Sequence, residues 1–403
     1  MPSFDLYLSY WPILAASAVF FLLGLWLYVS GERAMERSAK ALGWVADYRR
    51  PGFPFRRERL PFRKLRWTAL ICVILAAVAF QFFMRVNTWR IITQRWMIPT
   101  ISAYDLSIFA LAGLGAAAVY LCVHLLYESG FAAFWASLLF ALSPAASRGP
   151  VSLIAVSLFL LLLYLRTDKP GFPGELLYFG AVAVFCAALC VCLPAVWLLP
   201  VLAAVHLYKL FWNVRNNRLG LVKTLALVLI ALLCWALCLF AAVISRFFVL
   251  CGFSTEFLRL TLTADRIPML LEWFLAQIGN EFARLPRPGM LVAPLLDAPL
   301  LGLGLWGCVS AIGMLVKRRS VRGFAALASA AALILVWLVS ARCLLPLAFA
   351  LTLGALLKNA DLGGRRTLAS VFCGLGVCYD LLILCAAWLL PLKGELLSRL
   401  LRL

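Results

Sequence analysis

The stretch Thr224–Ser245 reads TLALVLIALLCWALCLFAAVIS and holds no charged residue. A run this long and this apolar has few structural options. As a helix it satisfies every backbone hydrogen bond internally, and roughly 20 residues cover the ~30 Å hydrocarbon core of a bilayer. Comparable runs recur along most of the chain. The composition carries the same constraint: 65% of residues are hydrophobic and 13% charged, with a mean hydropathy of +0.99. This balance excludes an ordinary soluble domain. The expected fold class is therefore all-α, a polytopic integral membrane protein of about twelve transmembrane helices. Those helices fall at 11–29, 67–84, 105–126, 130–146, 150–165, 176–193, 195–210, 221–245, 291–316, 323–340, 343–357 and 367–390.

The formal net charge is +20, which by itself would allow a nucleic-acid partner. The distribution argues against one. Basic residues gather in short segments between apolar runs, as the positive-inside rule requires. With the N-terminus outside, the inside segments and their flanking Lys209 and Lys223 hold 24 of the 37 basic residues. Segment 30–66 alone includes RRPGFPFRRERLPFRK, a topogenic signal suited to contact with anionic headgroups. The first apolar run has no basic segment before it and no small-residue cleavage site after it, so it reads as a retained helix. The expected location is the cytoplasmic, inner membrane, with membrane lipid as the first partner.

The chain divides into an N-terminal helix and basic loop (1–66), a membrane core (67–358) and a C-terminal helix with an amphipathic tail (359–403). Two outer segments are long: 85–104, and 246–290, whose apolar spacing predicts short amphipathic helices along the surface. The cluster Cys186, Cys190 and Cys192 has no His or carboxylate beside it and reads as packing, so no metal is expected. Cys251 and Cys343 both fall near the outer face, where a disulfide between them is open.

Residues 105–166 form a recognisable layout: a helix, a very short inside turn near Glu128–Gly130, a helix ending in Leu142–Ser143–Pro144, an outer turn with Arg148, and a third helix. Downstream lies SARCLLPLAFALTLGALL (340–357). The chain resembles the polytopic GT-C glycosyltransferases of the protein O-mannosyltransferase and aminoarabinose transferase type, whose hairpin ends in a similar phrase and whose "RYllP" phrase matches Arg342, with Cys343 in place of the usual Tyr. The resemblance covers the layout of roughly 67–358. It implies an enzyme that takes a sugar from a polyprenyl-phosphate donor and transfers it, without cofactor, to a glycan, lipid or protein acceptor in envelope glycan assembly. It further implies a carboxylate general base in the first outer loop and basic residues on the carrier phosphate.

Here the sequence departs from the family. Where the acidic pair of that loop stands, this chain has Asn87, Thr88, Trp89 and Arg90. Asp105, at the far end of the loop, either takes the base role from a shifted position or caps its helix. Asp265, in the second outer segment, is the alternative catalytic acid, against a solvated pair with Arg266. Arg85, Arg90, Arg95, Arg148 and Arg342 all fall at the outer side and are the phosphate-binding candidates, against a role as interfacial anchors beside Trp89 and Trp96. Asp297 and Asp380 are further intramembrane candidates, because ionisable residues in a membrane mark function. His124 and His206 fall toward the inner ends of their helices and read as hydrogen-bonded interior residues.

Three functions compete on these residues. The first is the transferase. The second is a non-catalytic GT-C-like scaffold or carrier-binding subunit of a membrane complex, which the missing acid pair favours. The third is a transporter or flippase of an anionic or lipid-linked substrate, which rests on Asp380.

Overall fold

The structure is a computed structural model. It describes residues 11–41, 66–93, 101–143, 149–167, 172–191, 195, 198–215, 220–250, 268–269, 272–273, 276, 297–318, 329–331, 333–334 and 344–389. The described residues are helical, with no strand among them. In chain order the helices are α1 Trp11–Ala41, α2 Trp67–Thr93, α3 Ala103–Tyr127, α4 Gly130–Ala141, α5 Gly149–Arg166, α6 Phe172–Val191, α7 Leu199–Arg215, α8 Leu221–Leu250, α9 Ala298–Arg318, α10 Leu345–Leu362 and α11 Arg366–Leu389. Among the described residues, six regions are long and apolar enough to cross a bilayer: Leu14–Ala34, Trp67–Val86, Ala103–Tyr127, Leu221–Ser245, Leu345–Leu362 and Arg366–Leu384. This is the architecture of a multi-pass membrane protein. The outward faces agree. On α8, Leu225, Leu229, Leu232, Leu233 and Leu237 are all exposed at helical spacing, a stripe that lipid covers and water would not.

Several helices run further than apolarity alone predicts. The first continues through GERAMERSAKA to Ala41, because Glu, Arg, Ala, Met and Lys are strong helix formers. The second continues through VNTWRIIT to Thr93, with no Pro or Gly to stop it. Arg85 and Arg90 therefore stand on α2 rather than in an outer loop. Similarly, α7 continues to Arg215 and α8 starts at Leu221, so Lys209 and Lys223 sit within helices instead of flanking them. At 12 residues, α4 is about 18 Å long and does not by itself span the hydrocarbon.

The chain forms two compact units. Unit 1 comprises 1–155, 287–334 and 343–403; unit 2 comprises 156–286 and 335–342; α5 contributes to both. In unit 1, α10 is central and packs on α9, α4, α1 and α3. The approach of α9 to α10 is set by small residues, as membrane helices favour. A Cβ on Gly307 would lie 2.5 Å from the Thr352 backbone carbonyl, and Thr352 Oγ1 donates to the Gly304 carbonyl at 3.0 Å. Tyr127 of α3 donates to the Leu351 carbonyl at 2.9 Å. The α3–α4 turn is as short as the sequence predicts: Glu128 is a left-handed cap at φ 52, and Ser129 caps α4. In unit 2, α6 packs on α8, and α7 touches α8. There the Ser245 hydroxyl contacts Cys190 Sγ at 2.9 Å, and the Cys190 thiol donates to the Cys186 carbonyl.

Candidate functional site

One end of unit 1 gathers several of the residues singled out above. Phe80 of α2, Leu142 after α4 and Leu384 of α11 form one buried cluster, with Met84, Leu138 and Val377 against it. That packing brings together the middle of α2, the C-terminal end of α4 and the middle-to-late part of α11.

Arg85 follows Met84 directly and faces Asp105 at the start of α3. Its Nε lies 2.8 Å from Asp105 Oδ1. The other carboxylate oxygen, Oδ2, accepts from the Ser102 hydroxyl at 2.7 Å and from the Ser102 backbone at 3.1 Å. The Asp105 N–H in turn donates to Ser102 Oγ at 3.2 Å. This is a capping box with Ser102 as N-cap and Asp105 at the third helical position. Asp105 thus caps its helix as one sequence reading holds, but from within the first turn. Both of its oxygens are engaged. A carboxylate so engaged is poorly placed to take a proton from an acceptor hydroxyl, and Arg85 spends its charge on Asp105 rather than on a phosphate.

Asp297 stands immediately before α9 and is buried. Ser143, at the end of the α4 hairpin arm, is its polar neighbour. Neither oxygen of Asp297 receives a well-aligned hydrogen bond among the described residues. Asp380 of α11 lies within electrostatic reach of Asp297, is equally buried, and has one oxygen without a hydrogen bond among them. The Tyr379 hydroxyl is buried nearby and interacts with both acids. Two carboxylates, one at the entry to α9 and one on α11, thus share one buried pocket of polarity. Asp297 also lines a narrow cleft with Leu300, Leu301, Leu345, Pro346 and Phe349. The cleft is apolar apart from that acid and too narrow to admit a water molecule. Such carboxylates can exchange a single proton or accept one from a bound hydroxyl. Among the described residues no group of three or more His, Cys, Asp or Glu is arranged to hold a metal ion.

The other predicted residues divide plainly. Arg90 lies on α2 with its side chain outside the described residues, and Arg95, Arg148, Arg342 and Asp265 lie wholly outside them, as do Cys251 and Cys343. Sequence reasoning overlooked Ser143 and Tyr379 as partners of the acids, although Ser143 stands in the Leu142–Pro144 phrase that carries the resemblance. It also overlooked Tyr164, Glu175 and Lys209 in unit 2. An acid at the start of an apolar helix, in FPGELL, was the available signal for Glu175. Compared with known proteins, the chain matches no family model, no curated protein and no solved structure.

Proposed function

We propose that this chain is a membrane glycosyltransferase-like protein that uses a polyprenyl-phosphate-linked sugar at the outer face of the cytoplasmic membrane. In this reading the base is Asp297, and Asp105 has become a structural residue. The observation that carries it is Asp297, a buried carboxylate with no aligned hydrogen bond among the described residues and with a second buried acid, Asp380, within electrostatic reach. The acceptor hydroxyl gives its proton to Asp297 as its oxygen attacks the sugar carbon, and the carrier phosphate leaves. Asp380 beside it accepts or returns that proton. Arg148 and Arg342 remain assigned to the carrier phosphate, since guanidinium groups pair with phosphate through two parallel hydrogen bonds. Positive-inside counting supports placing the N-terminus outside.

The test is consumption of a polyprenyl-phosphate sugar by membranes that contain the protein. Asp297→Asn should lower turnover about 100-fold or more, the usual scale for a general base. Asp105→Asn should lower it by less than about tenfold, since its role is capping. Full turnover in Asp297→Asn overturns the base assignment, and no turnover by the wild type overturns the transferase.

A second reading is favoured by the acid pair itself. Two buried carboxylates on neighbouring helices are a proton- or cation-coupling site of the kind transporters place within the membrane. A flux of an anionic or lipid-linked substrate that depends on Asp380, without sugar transfer, would support it. The carrier-binding scaffold is supported instead by a chain that binds the carrier and consumes no donor.

A further inference from the structure

Unit 2 holds four ionisable side chains in one buried group. Tyr164 lies on α5, Glu175 on α6, and His206 and Lys209 on α7, all at most 3% exposed. Charges in a setting this apolar persist only when partnered. Each partner here is identifiable. Tyr164 Oη lies 3.2 and 3.0 Å from Oε1 and Oε2 of Glu175, and 3.0 Å from Nδ1 of His206. The His206 Nδ1 is 3.5 Å from Glu175 Oε2. The Lys209 ammonium donates to the Tyr164 carbonyl and sits 3.5 Å from the centre of the Tyr164 ring. The His206 ring is stacked on Tyr178 with centroids 4.1 Å apart, and Tyr178 Oη accepts from Trp235 Nε1 at 2.9 Å. The imidazole is thereby held in one plane with Nδ1 on the Tyr164 hydroxyl. Its other nitrogen, Nε2, is buried and has no hydrogen bond among the described residues.

We propose that Glu175, Tyr164 and His206 form a proton relay, in which one proton passes between the Glu175 carboxyl and the His206 ring through the Tyr164 hydroxyl. The geometry admits two alternative arrangements, because a hydroxyl has a single proton to donate and both neighbours can accept it. In one, Tyr164 donates to the Glu175 carboxylate and accepts from His206 Nδ1–H. In the other, protonated Glu175 donates to Tyr164, which donates to an unprotonated Nδ1. Transfer from the second toward the first breaks the carboxyl O–H as a new Tyr164 O–H forms. The original Tyr164 O–H breaks as Nδ1–H forms. The product is a Glu175 carboxylate and a His206 imidazolium, and the reverse transfer through Tyr164 restores the carboxyl and the neutral ring. Atoms and charge balance, and no oxidant or metal enters. Lys209 supplies a fixed positive charge that stabilises the carboxylate and disfavours a second cation on the ring, so the proton does not rest there. A purely structural network would hold a single arrangement, with Nε2 serving only to fill space.

The chain contains two histidines, so isotopically labelled histidine rings give two sets of nitrogen resonances, assigned with His124→Gln. The Glu175 carboxyl is followed by infrared difference spectroscopy of the full-length protein in lipid and assigned with Glu175→Gln. Between about pH 5 and pH 9, where histidine chemistry is accessible, the Glu175 band and the His206 nitrogens should change together with one midpoint. Tyr164→Phe, which keeps the ring under Lys209, should separate the two midpoints. Should Tyr164→Phe not fold, Glu175→Gln read at His206 and His206→Gln read at Glu175 test the same coupling from each end, and each should shift the remaining partner's midpoint. Wild-type protein in which the two groups change independently, or in which neither changes, overturns the relay, as does a joint response that survives in Tyr164→Phe or a remaining partner unmoved in both end variants.

Discussion

Arg85 and Asp105 meet across the α2–α3 connection with Nε 2.8 Å from Oδ1, and this pairing takes both out of the roles that the resemblance would give them. Because Asp105 also closes the capping box, the pair matters for the start of α3. Ser102→Ala should cost about 1 kcal/mol of stability, the usual loss for an N-cap serine. Asp105→Asn should lower the thermal midpoint in detergent as well, and Arg85→Ala should lower it less, since Arg85 is 39% exposed. Thermal unfolding of the three variants checks the order.

The α9–α10 contact leaves no room at Gly307. Gly307→Leu should push the helices apart and destabilise unit 1 by about 1–3 kcal/mol or more, the scale of overpacking. Half-buried Gly374 on α11, where a Cβ meets nothing within 4 Å, is the control: Gly374→Leu should leave the midpoint nearly unchanged.

Tyr127 Oη donates to the Leu351 carbonyl between α3 and α10. Tyr127→Phe keeps the ring in place and removes one interhelical hydrogen bond, which should cost about 0.6–1.7 kcal/mol. Denaturation in mild detergent reads this directly.

The class of fold was legible in the sequence because it depends on residue type alone. The run from Arg366 to Leu389 and the α3–α4 turn at Glu128–Gly130 fall close to where apolarity and the short polar break put them. Helix ends were less legible. Arg85 and Lys209 look like loop or flanking residues, since charge marks the edge of an apolar run, yet backbone propensity carries both helices on past them. The sites were the least legible part. Asp297 and Asp380 are 83 positions apart in sequence, and nothing local to either indicates the other. Tyr164, Glu175 and His206 come from three helices, and only packing brings their polar atoms within 3.5 Å.

Placement of the acids at the entry to α9 and on α11 gives a further expectation. Asp297→Asn and Asp380→Asn each remove one carboxylate from the pair and relieve charge repulsion. Each should leave the protein folded, with a thermal midpoint equal to or above that of the wild type, while donor turnover falls. A lower midpoint in both variants would mark the acids as structural.

The central claim is a polyprenyl-phosphate site on this chain. The most direct measurement is native mass spectrometry of the gently purified protein, before and after addition of excess polyprenyl phosphate. The account predicts one carrier molecule bound to the wild type and its loss in the Arg148→Ala, Arg342→Ala double variant. Binding of ordinary phospholipids alone, even with excess carrier present, would contradict it.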